Sequence, residues 1–320
     1  AEDPEIHNEL FIPKEMIDDL PIPDKCKTNI GDPEKTDGYQ IRYYKYGHNV
    51  FPEGYKSFRV SFCQYAVNYP PLTAKYLYER YTEHIKDQNV INVYDPSMGW
   101  GGRILGAMSV KDDRNIHYIG TDPNTDHNLP DGRTKYHDLA DFYNTRTNRA
   151  TSLFPHNNTY EIYQHGSEVV GDDPEFQKYK GQLDMVFTSP PYFAKEIYSD
   201  DPAQSAHKFN AYDDWREGFL RPTLETAVEY LRSNRYLLWN ISNCKFDKET
   251  MPLEEDSRAI LTDLGMEYVE TMKMCLQTMP GGNRVDEDGK PRTENFVRVA
   301  RRSGGEMFLK SEPVFVYRKI

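Results

Sequence analysis

"VINVYDPSMGWGGR" occupies residues 90–103. Its first residues are rich in β-branched and aromatic side chains and stop at Asp95, which reads as a short buried strand. Pro96 ends that strand, and Gly99, Gly101 and Gly102 follow. A glycine-rich turn directly after a strand lets backbone approach a ligand closely, and in open α/β sheets ligands bind beyond the carboxyl ends of the strands. The glycines are not spaced as GxGxxG, which argues against a dinucleotide. No GxxxxGK[ST] occurs, which excludes a P-loop.

The same rhythm continues outward from this stretch. Apolar runs at 117–122, 160–166, 183–189, 236–242, 267–278 and 313–319 are separated by helical candidates at 103–109, 134–147, 213–233 and 254–264. Ahead of the first strand, "PPLTAKYLYERYTEHI" reads as a helix entered through Pro71, with Leu72, Tyr76, Leu77 and Tyr81 at helical spacing. Strands alternating with helices predict an α/β fold: a mainly parallel sheet of seven strands with helices on both faces. The last two runs have no helix between them. They are expected as an antiparallel pair at one edge, joined by a long loop over 279–312.

Residues 1–40 hold 11 acidic against 4 basic residues and five prolines, and read as an extended arm. Residues 39–69 alternate aromatic, basic and apolar side chains, which suggests short strands or an ordered collar. The expected division is an N-terminal extension and collar over 1–61 and a compact domain over 62–320.

The second run, "HYIGTD", ends in Asp122, 27 residues after Asp95. An acidic residue there is well placed to accept both ribose hydroxyls of an adenosine ligand. Alone it reads equally as a turn or cap residue beside Pro123; with the glycine turn, nucleoside binding is the stronger reading. The fourth run, "LDMVFTS", leads straight into Pro190 and Pro191, neither of which can donate a ladder hydrogen bond. The stiff pair fixes the hydroxyl of Ser189, the carbonyl of Pro190 and the ring of Tyr192 at the strand's end.

Ser189-Pro190-Pro191-Tyr192 resembles the [DNS]-P-P-[YF] tetrad of S-adenosylmethionine-dependent amino-methyltransferases, which modify exocyclic amines of nucleic-acid bases. Asp95-Pro96-Ser97-Met98-Gly99-Trp100-Gly101 is similar to that family's D-P-F-x-G-S-G cofactor turn. Asn68-Tyr69-Pro70-Pro71-Leu72-Thr73-Ala74-Lys75-Tyr76-Leu77 resembles the proline-containing entry to its first helix. By order and spacing the resemblance covers residues 62–320. It implies a Rossmann-like class I methyltransferase using S-adenosyl-L-methionine, with DNA as substrate and N4 of cytosine the first choice of target, because the serine form of the tetrad is closer to cytosine than to adenine enzymes. N6 of adenine, RNA bases, a protein glutamine, and a non-catalytic DNA-binding subunit are the alternatives.

The resemblance assigns catalysis to Ser189, Pro190, Pro191 and Tyr192, with Phe193 beside them on the substrate. It assigns cofactor contacts to Asp95, Pro96, Ser97, Gly99, Trp100, Gly101, Asp122, Pro123, Ser167, Tyr69 and Pro71. Ser97 replaces an aromatic and Trp100 a small residue of the family pattern; Trp100 is expected either on the cofactor adenine or packed on the sheet. Ser167 stands where the family often has an acidic adenine contact. No Pro-Cys dipeptide occurs, which excludes C5-cytosine chemistry through a cysteine nucleophile.

"GKPRTENFVRVARR" (289–302) carries five basic residues against one acidic, and Arg298, Arg301 and Arg302 are candidate DNA contacts. The polar stretch 195–214 is a candidate cap over the site. A net charge of −12 disfavours a free-standing non-specific nucleic-acid binder, so a separate recognition subunit or domain is an expected partner for reading sequence. Cys26, Cys63, Cys244 and Cys275 are dispersed, with no CxxC pair, so no metal site or disulfide framework is expected. No apolar run reaches transmembrane length; the expected location is cytoplasmic, in a bacterial, archaeal or phage-infected cell.

Overall fold

Along each central strand, side chains alternate between two apolar faces, and both faces have to be covered. Ile91, Val93, Met185, Phe187 and Leu238 join one core, while Tyr94, Leu183, Val186, Leu237 and Trp239 join the other. The computed structural model describes residues 8–13, 38–43, 68–110, 114–149, 157–194, 198, 201–247, 249–276, 296–300 and 306–320.

The chain divides into two compact units, Ala1–Tyr65 and Ala66–Ile320. In the first unit, β1 (Asn8–Pro13) and β2 (Gly38–Tyr43) form an antiparallel pair running from Asn8↔Tyr43 to Pro13↔Gly38. The segment read as an extended arm therefore contains a paired strand.

In the second unit the strands are β3 (Val90–Asp95), β4 (Asn115–Thr121), β5 (Thr159–Tyr163), β6 (Leu183–Thr188), β7 (Leu231–Asn240), β10 (Met266–Cys275) and β12 (Glu306–Lys319). They lie in the order β10-β12-β7-β6-β3-β4-β5. Neighbours from β5 to β7 are parallel, and β12 runs antiparallel between β7 and β10. This is the Rossmann-like class I methyltransferase arrangement. From β3 the chain builds outward first through β4 and β5 and then, on the other side, through β6 and β7. The switch point, where a ligand crevice opens beyond the strand ends, therefore lies between β3 and β6. The glycine turn and the SPPY tetrad are the segments that leave those two strands.

One core is covered by α1 (Pro71–Thr82), α2 (Gly102–Met108) and α3 (Lys135–Arg149), the other by α5 (Tyr212–Trp215), α6 (Arg221–Tyr230) and α7 (Leu253–Asp263). A short α4 (Ser205–Lys208) precedes α5, and a π-type turn over Arg216–Leu220 links α5 to α6. A small hairpin of β8 (Cys244–Phe246) and β9 (Glu249–Met251) stands before α7.

Several expectations need correcting. The buried stripe of α1 is Ala74, Leu77, Tyr78 and Tyr81, whereas Leu72 is 80% and Tyr76 49% exposed; Ala74, too small to stand out in a hydropathy reading, sets the true face. The expected 213–233 helix stops at Tyr230, and β7 begins five residues earlier than read, because Arg232, Ser233, Asn234 and Arg235 mask its start. Within the expected loop over 279–312, β11 (Phe296–Ala300) pairs with β12 through Phe296↔Lys310 to Ala300↔Glu306. Interleaved arginines hid that strand.

Two glycines of α2 allow the helices to cross at backbone contact. A Cβ added to Gly102 would stand 2.0 Å from the Tyr69 carbonyl oxygen, and one added to Gly106 would stand 2.6 Å from Ala74 Cβ and 2.8 Å from the Pro71 carbonyl oxygen. Glycine-to-alanine changes inside helices usually stabilise by about 1 kcal/mol. Gly106→Ala should instead destabilise by about 1–3 kcal/mol through overpacking, read as a lower urea midpoint at unchanged slope. A midpoint at or above the parent value would refute the close crossing.

Candidate active site at the carboxyl edge of the sheet

Asp95, the last residue of β3, is fully buried and ties the edge together. Its Oδ1 accepts from Thr188 Oγ1 at 2.8 Å and from the Ser97 amide at 3.2 Å. Its Oδ2 accepts from Arg103 Nε at 2.8 Å and from the Tyr118 hydroxyl at 2.6 Å. Four donors from β4, β6, α2 and the turn use the carboxylate's acceptor capacity. Asp95 thus braces the turn, α2, β4 and β6 to one another. Arg103, absent from the expected site, also donates from Nη2 to the Ser97 carbonyl and lies over the Tyr69 ring.

The glycine turn is held against the end of β4. Met98 N donates to the Thr121 carbonyl at 3.1 Å, and Thr121 Oγ1 donates to the Pro96 carbonyl at 2.7 Å. Gly99 and Gly101 have φ of 55° and 81°, which a side chain would strain. Asp122 meets the turn directly: its Oδ2 accepts from the Gly99 amide at 2.8 Å and its Oδ1 from the Asn124 amide at 3.0 Å. Burial pushes the Asp122 carboxyl up to about 6 despite those two amides, which pull the other way. The Tyr136 hydroxyl, from α3, donates to the Gly99 carbonyl at 2.5 Å.

Trp100 joins an aromatic group beside the glycine turn. It stacks on His127, with ring centres 5.9 Å apart and planes at 25°, and His127 in turn meets Tyr136 at 4.6 Å. Trp100 Nε1 and His127 Nδ1 are buried and have no hydrogen-bond partner. Part of the segment after the tetrad reaches back over this box. Tyr198 lies 5.8 Å from Trp100, and Asp201 Oδ2 accepts from Thr125 Oγ1 at 2.5 Å. His127 and Tyr136 belong to the site although no motif marked them; the hint was aromatic residues recurring just beyond the second strand.

At the end of β6, Ser189 and Tyr192 are half-buried and Pro190 is buried. Phe193 is only 2% exposed, and its ring packs edge-on to Tyr212, Trp215 and Phe246 in the core. Its φ of 51° is unusual for a bulky residue. Core anchoring over-determines that backbone and so sets where the tetrad ends.

Ser167 is buried, with Oγ 2.9 Å from Thr223 Oγ1 of α6. Pro123 follows Asp122 at the crevice, half-buried. Tyr69 and Pro71 flank the start of α1, where the Tyr69 ring stands edge-on to Phe187 at 5.3 Å. Arg298 is exposed on β11, which pairs with the part of β12 that runs on beyond the carboxyl end of β7; Arg301 and Arg302 lie outside the described residues.

No family model and no curated protein matches this chain. Solved structures do. One is a candidate DNA modification methylase from Thermus thermophilus, complexed with S-adenosyl-L-methionine: 18% identity over 48% of this chain and 52% of that one, TM-score 0.28. Others are a candidate class I S-adenosylmethionine-dependent methyltransferase from Listeria monocytogenes (13% identity, 83% and 67% of the two chains, TM-score 0.41) and a precorrin-6y C5,15-methyltransferase from Geobacter metallireducens (10%, 80% and 95%, TM-score 0.40). The chain spans about half the length of the first of these. Strand order and site geometry, rather than these distant likenesses, carry the fold. Among the described residues, no helix is long and apolar enough to cross a membrane, and no group of three His, Cys, Asp or Glu could hold a metal ion.

Proposed function

We propose that this chain is an S-adenosylmethionine-dependent methyltransferase acting on an exocyclic amine of a DNA base, N4 of cytosine first. The observation that carries the reading is the juxtaposition at the switch point: the Asp122-backed glycine turn beside β3 and the Ser-Pro-Pro-Tyr corner beside β6, braced to each other through Asp95.

The residues fit the cofactor. Asp122 offers a carboxylate to the ribose hydroxyls, the left-handed glycines leave room for close approach, and Trp100 and His127 present ring nitrogens with no partner among the described residues. When bound, S-adenosyl-L-methionine supplies a methyl group on a cationic sulfur that departs with the C–S electron pair as a neutral thioether.

The rest is done by this chain. An exocyclic amine is a poor nucleophile because its lone pair is delocalised into the ring. Acceptance of its hydrogens by Ser189 Oγ and the Pro190 carbonyl favours a pyramidal nitrogen with a directed lone pair, and the two prolines keep those acceptors in place beforehand. The Tyr192 ring offers a stacking face to a base drawn out of the duplex. The segment carrying Tyr198 and Asp201 excludes water from the cofactor side. The nitrogen forms its new bond to carbon and then releases one proton to solvent. Arg298 on β11, with Arg301 and Arg302, serves as a secondary contact to phosphates, and the acidic body as a whole leaves sequence reading to another domain or subunit.

Transfer of a radiolabelled methyl group tests the reading: label in DNA is expected, label in RNA or protein alone would move the activity to that substrate, and cofactor binding with no transfer would leave a non-catalytic subunit.

Cofactor affinity should also depend on pH. The Asp122 carboxyl is raised in the folded state, so the protonated form favours folding at low pH, and that contribution fades as pH climbs through about 6. Ribose hydroxyls donate best to the ionised form. Calorimetric affinity for S-adenosyl-L-methionine should therefore weaken as pH falls below about 6. Asp122→Ala should lower affinity at pH 7.5 by about 1–3 kcal/mol and abolish that pH dependence. Equal affinity in the variant and the parent would reject the ribose role.

A further inference from the structure

Beyond the tetrad, the strand next to it ends in polar atoms without a hydrogen-bond partner among the described residues. Thr188 of β6 pairs in register with Trp239 of β7, so Asn240, the last residue of β7, lies alongside Ser189 on the neighbouring strand, with adjacent parallel strands about 4.8 Å apart. Two residues earlier, Phe187 pairs with Leu238, and both belong to the core beneath α1 and α2. By strand alternation, Ser189 and Asn240 share that face.

Asn240 is only 1% exposed. Its Nδ2 donates to the Pro313 carbonyl of β12 at 2.8 Å, while its Oδ1 is buried with no partner. The Pro313 carbonyl fixes the orientation of the amide, since a flipped amide would set oxygen against oxygen. The free atom is therefore an acceptor. Two more oxygens are buried without a partner among the described residues: the Ser242 hydroxyl, two residues on in the chain, and the Tyr69 hydroxyl, whose ring is edge-on to Phe187. Burial raises the Tyr69 phenol, so it stays protonated and able to donate. A buried carbonyl without a donor costs free energy, and such a vacancy beside a proposed catalytic corner points to a ligand that brings the donor.

We infer that Asn240 is a further substrate-contacting residue: its Oδ1 accepts one hydrogen of the target amine while the Ser-Pro corner accepts the other. This rests on the amine-methyltransferase reading above and deepens it. A cradle with acceptors on two strands selects a primary amine and turns its lone pair toward the cofactor crevice. Asn240 changes neither the bonds formed and broken nor the fate of the proton, which leaves to solvent after transfer.

The test uses the full chain, S-adenosyl-L-methionine and unmethylated DNA of mixed sequence. Asn240→Leu should lower the thermal midpoint, because the Pro313 carbonyl loses its donor, and should keep cofactor affinity close to the parent while turnover falls roughly tenfold or more. A residue that merely supports the fold would lower cofactor affinity along with turnover. Asn240→Asp, held neutral by burial, can donate to the Pro313 carbonyl and still present a free oxygen. It should recover most of the lost turnover, and it serves as the second variant where leucine fails to fold. Turnover of Asn240→Leu within twofold of an active parent, or a folded, cofactor-binding Asn240→Asp with no activity, would overturn the assignment of Asn240 alone. A parent protein that binds cofactor but methylates no amine would overturn the underlying reading and this inference with it.

Discussion

Asp95→Asn should cost about 3–5 kcal/mol of unfolding free energy, because it leaves the buried Arg103 guanidinium without its counter-charge. Few surface changes in this chain should approach that. Asp95 is fully buried, Arg103 is 4% exposed, and their ion pair is 2.8 Å long. The same carboxylate also receives Tyr118 from β4 and Thr188 from β6, so the loss should be felt at three strand ends. The double variant Asp95→Asn/Arg103→Met should be more stable than Asp95→Asn alone, since it removes the orphaned charge. Urea denaturation of the three proteins measures both effects. A loss below about 1 kcal/mol for the single variant would place Asp95 among ordinary polar residues.

Ser189→Ala should lower turnover by roughly tenfold to a hundredfold, the range for removing one preorganised polar group from a reacting centre. Cofactor affinity should hardly change, because Asp122, Gly99 and Trp100 lie on the other side of the crevice, at the ends of β3 and β4. The stability change should be small for a half-buried hydroxyl at a strand end. Single-turnover kinetics with cofactor and DNA in excess separate the chemical step from binding. Unchanged single-turnover rates would remove Ser189 from the chemistry, whereas loss of cofactor affinity would place it on the wrong side of the crevice.

Much of this arrangement was legible before the fold was known. Strands at 90–95 and 183–188 announced themselves because both faces of a central parallel strand are largely buried, so most of their residues are apolar, and because Pro96 and Pro190 stop them sharply. The roles of Asp95 and Phe193 were less legible. A carboxylate at the head of a glycine turn gives no sign of whether its partners are a ligand or, as here, an arginine eight residues on and hydroxyls from two other strands. Phe193 follows an exposed corner in sequence, but its left-handed backbone swings the ring back into the core. The partner of Ser167 was hidden for the same kind of reason: Thr223 is 56 residues away. His127, Tyr136 and Asn240 carry no motif at all, because pairing across loops and strands, not spacing along the chain, brings them to the edge. β11 was hidden by the arginines in and around it, which make the segment look like loop.

The central claim is methyl transfer to an exocyclic amine at the Ser189–Tyr192 corner, and nucleoside mass spectrometry tests it most directly. DNA incubated with the protein and isotopically labelled S-adenosyl-L-methionine would be digested to nucleosides, with the Ser189→Ala protein run in parallel. The account predicts labelled N4-methylcytosine from the parent and at least a roughly tenfold smaller signal from the variant. Labelled N6-methyladenine would keep the amine chemistry and overturn the cytosine assignment. Label on a ring carbon, or equal signals from parent and variant, would contradict the account.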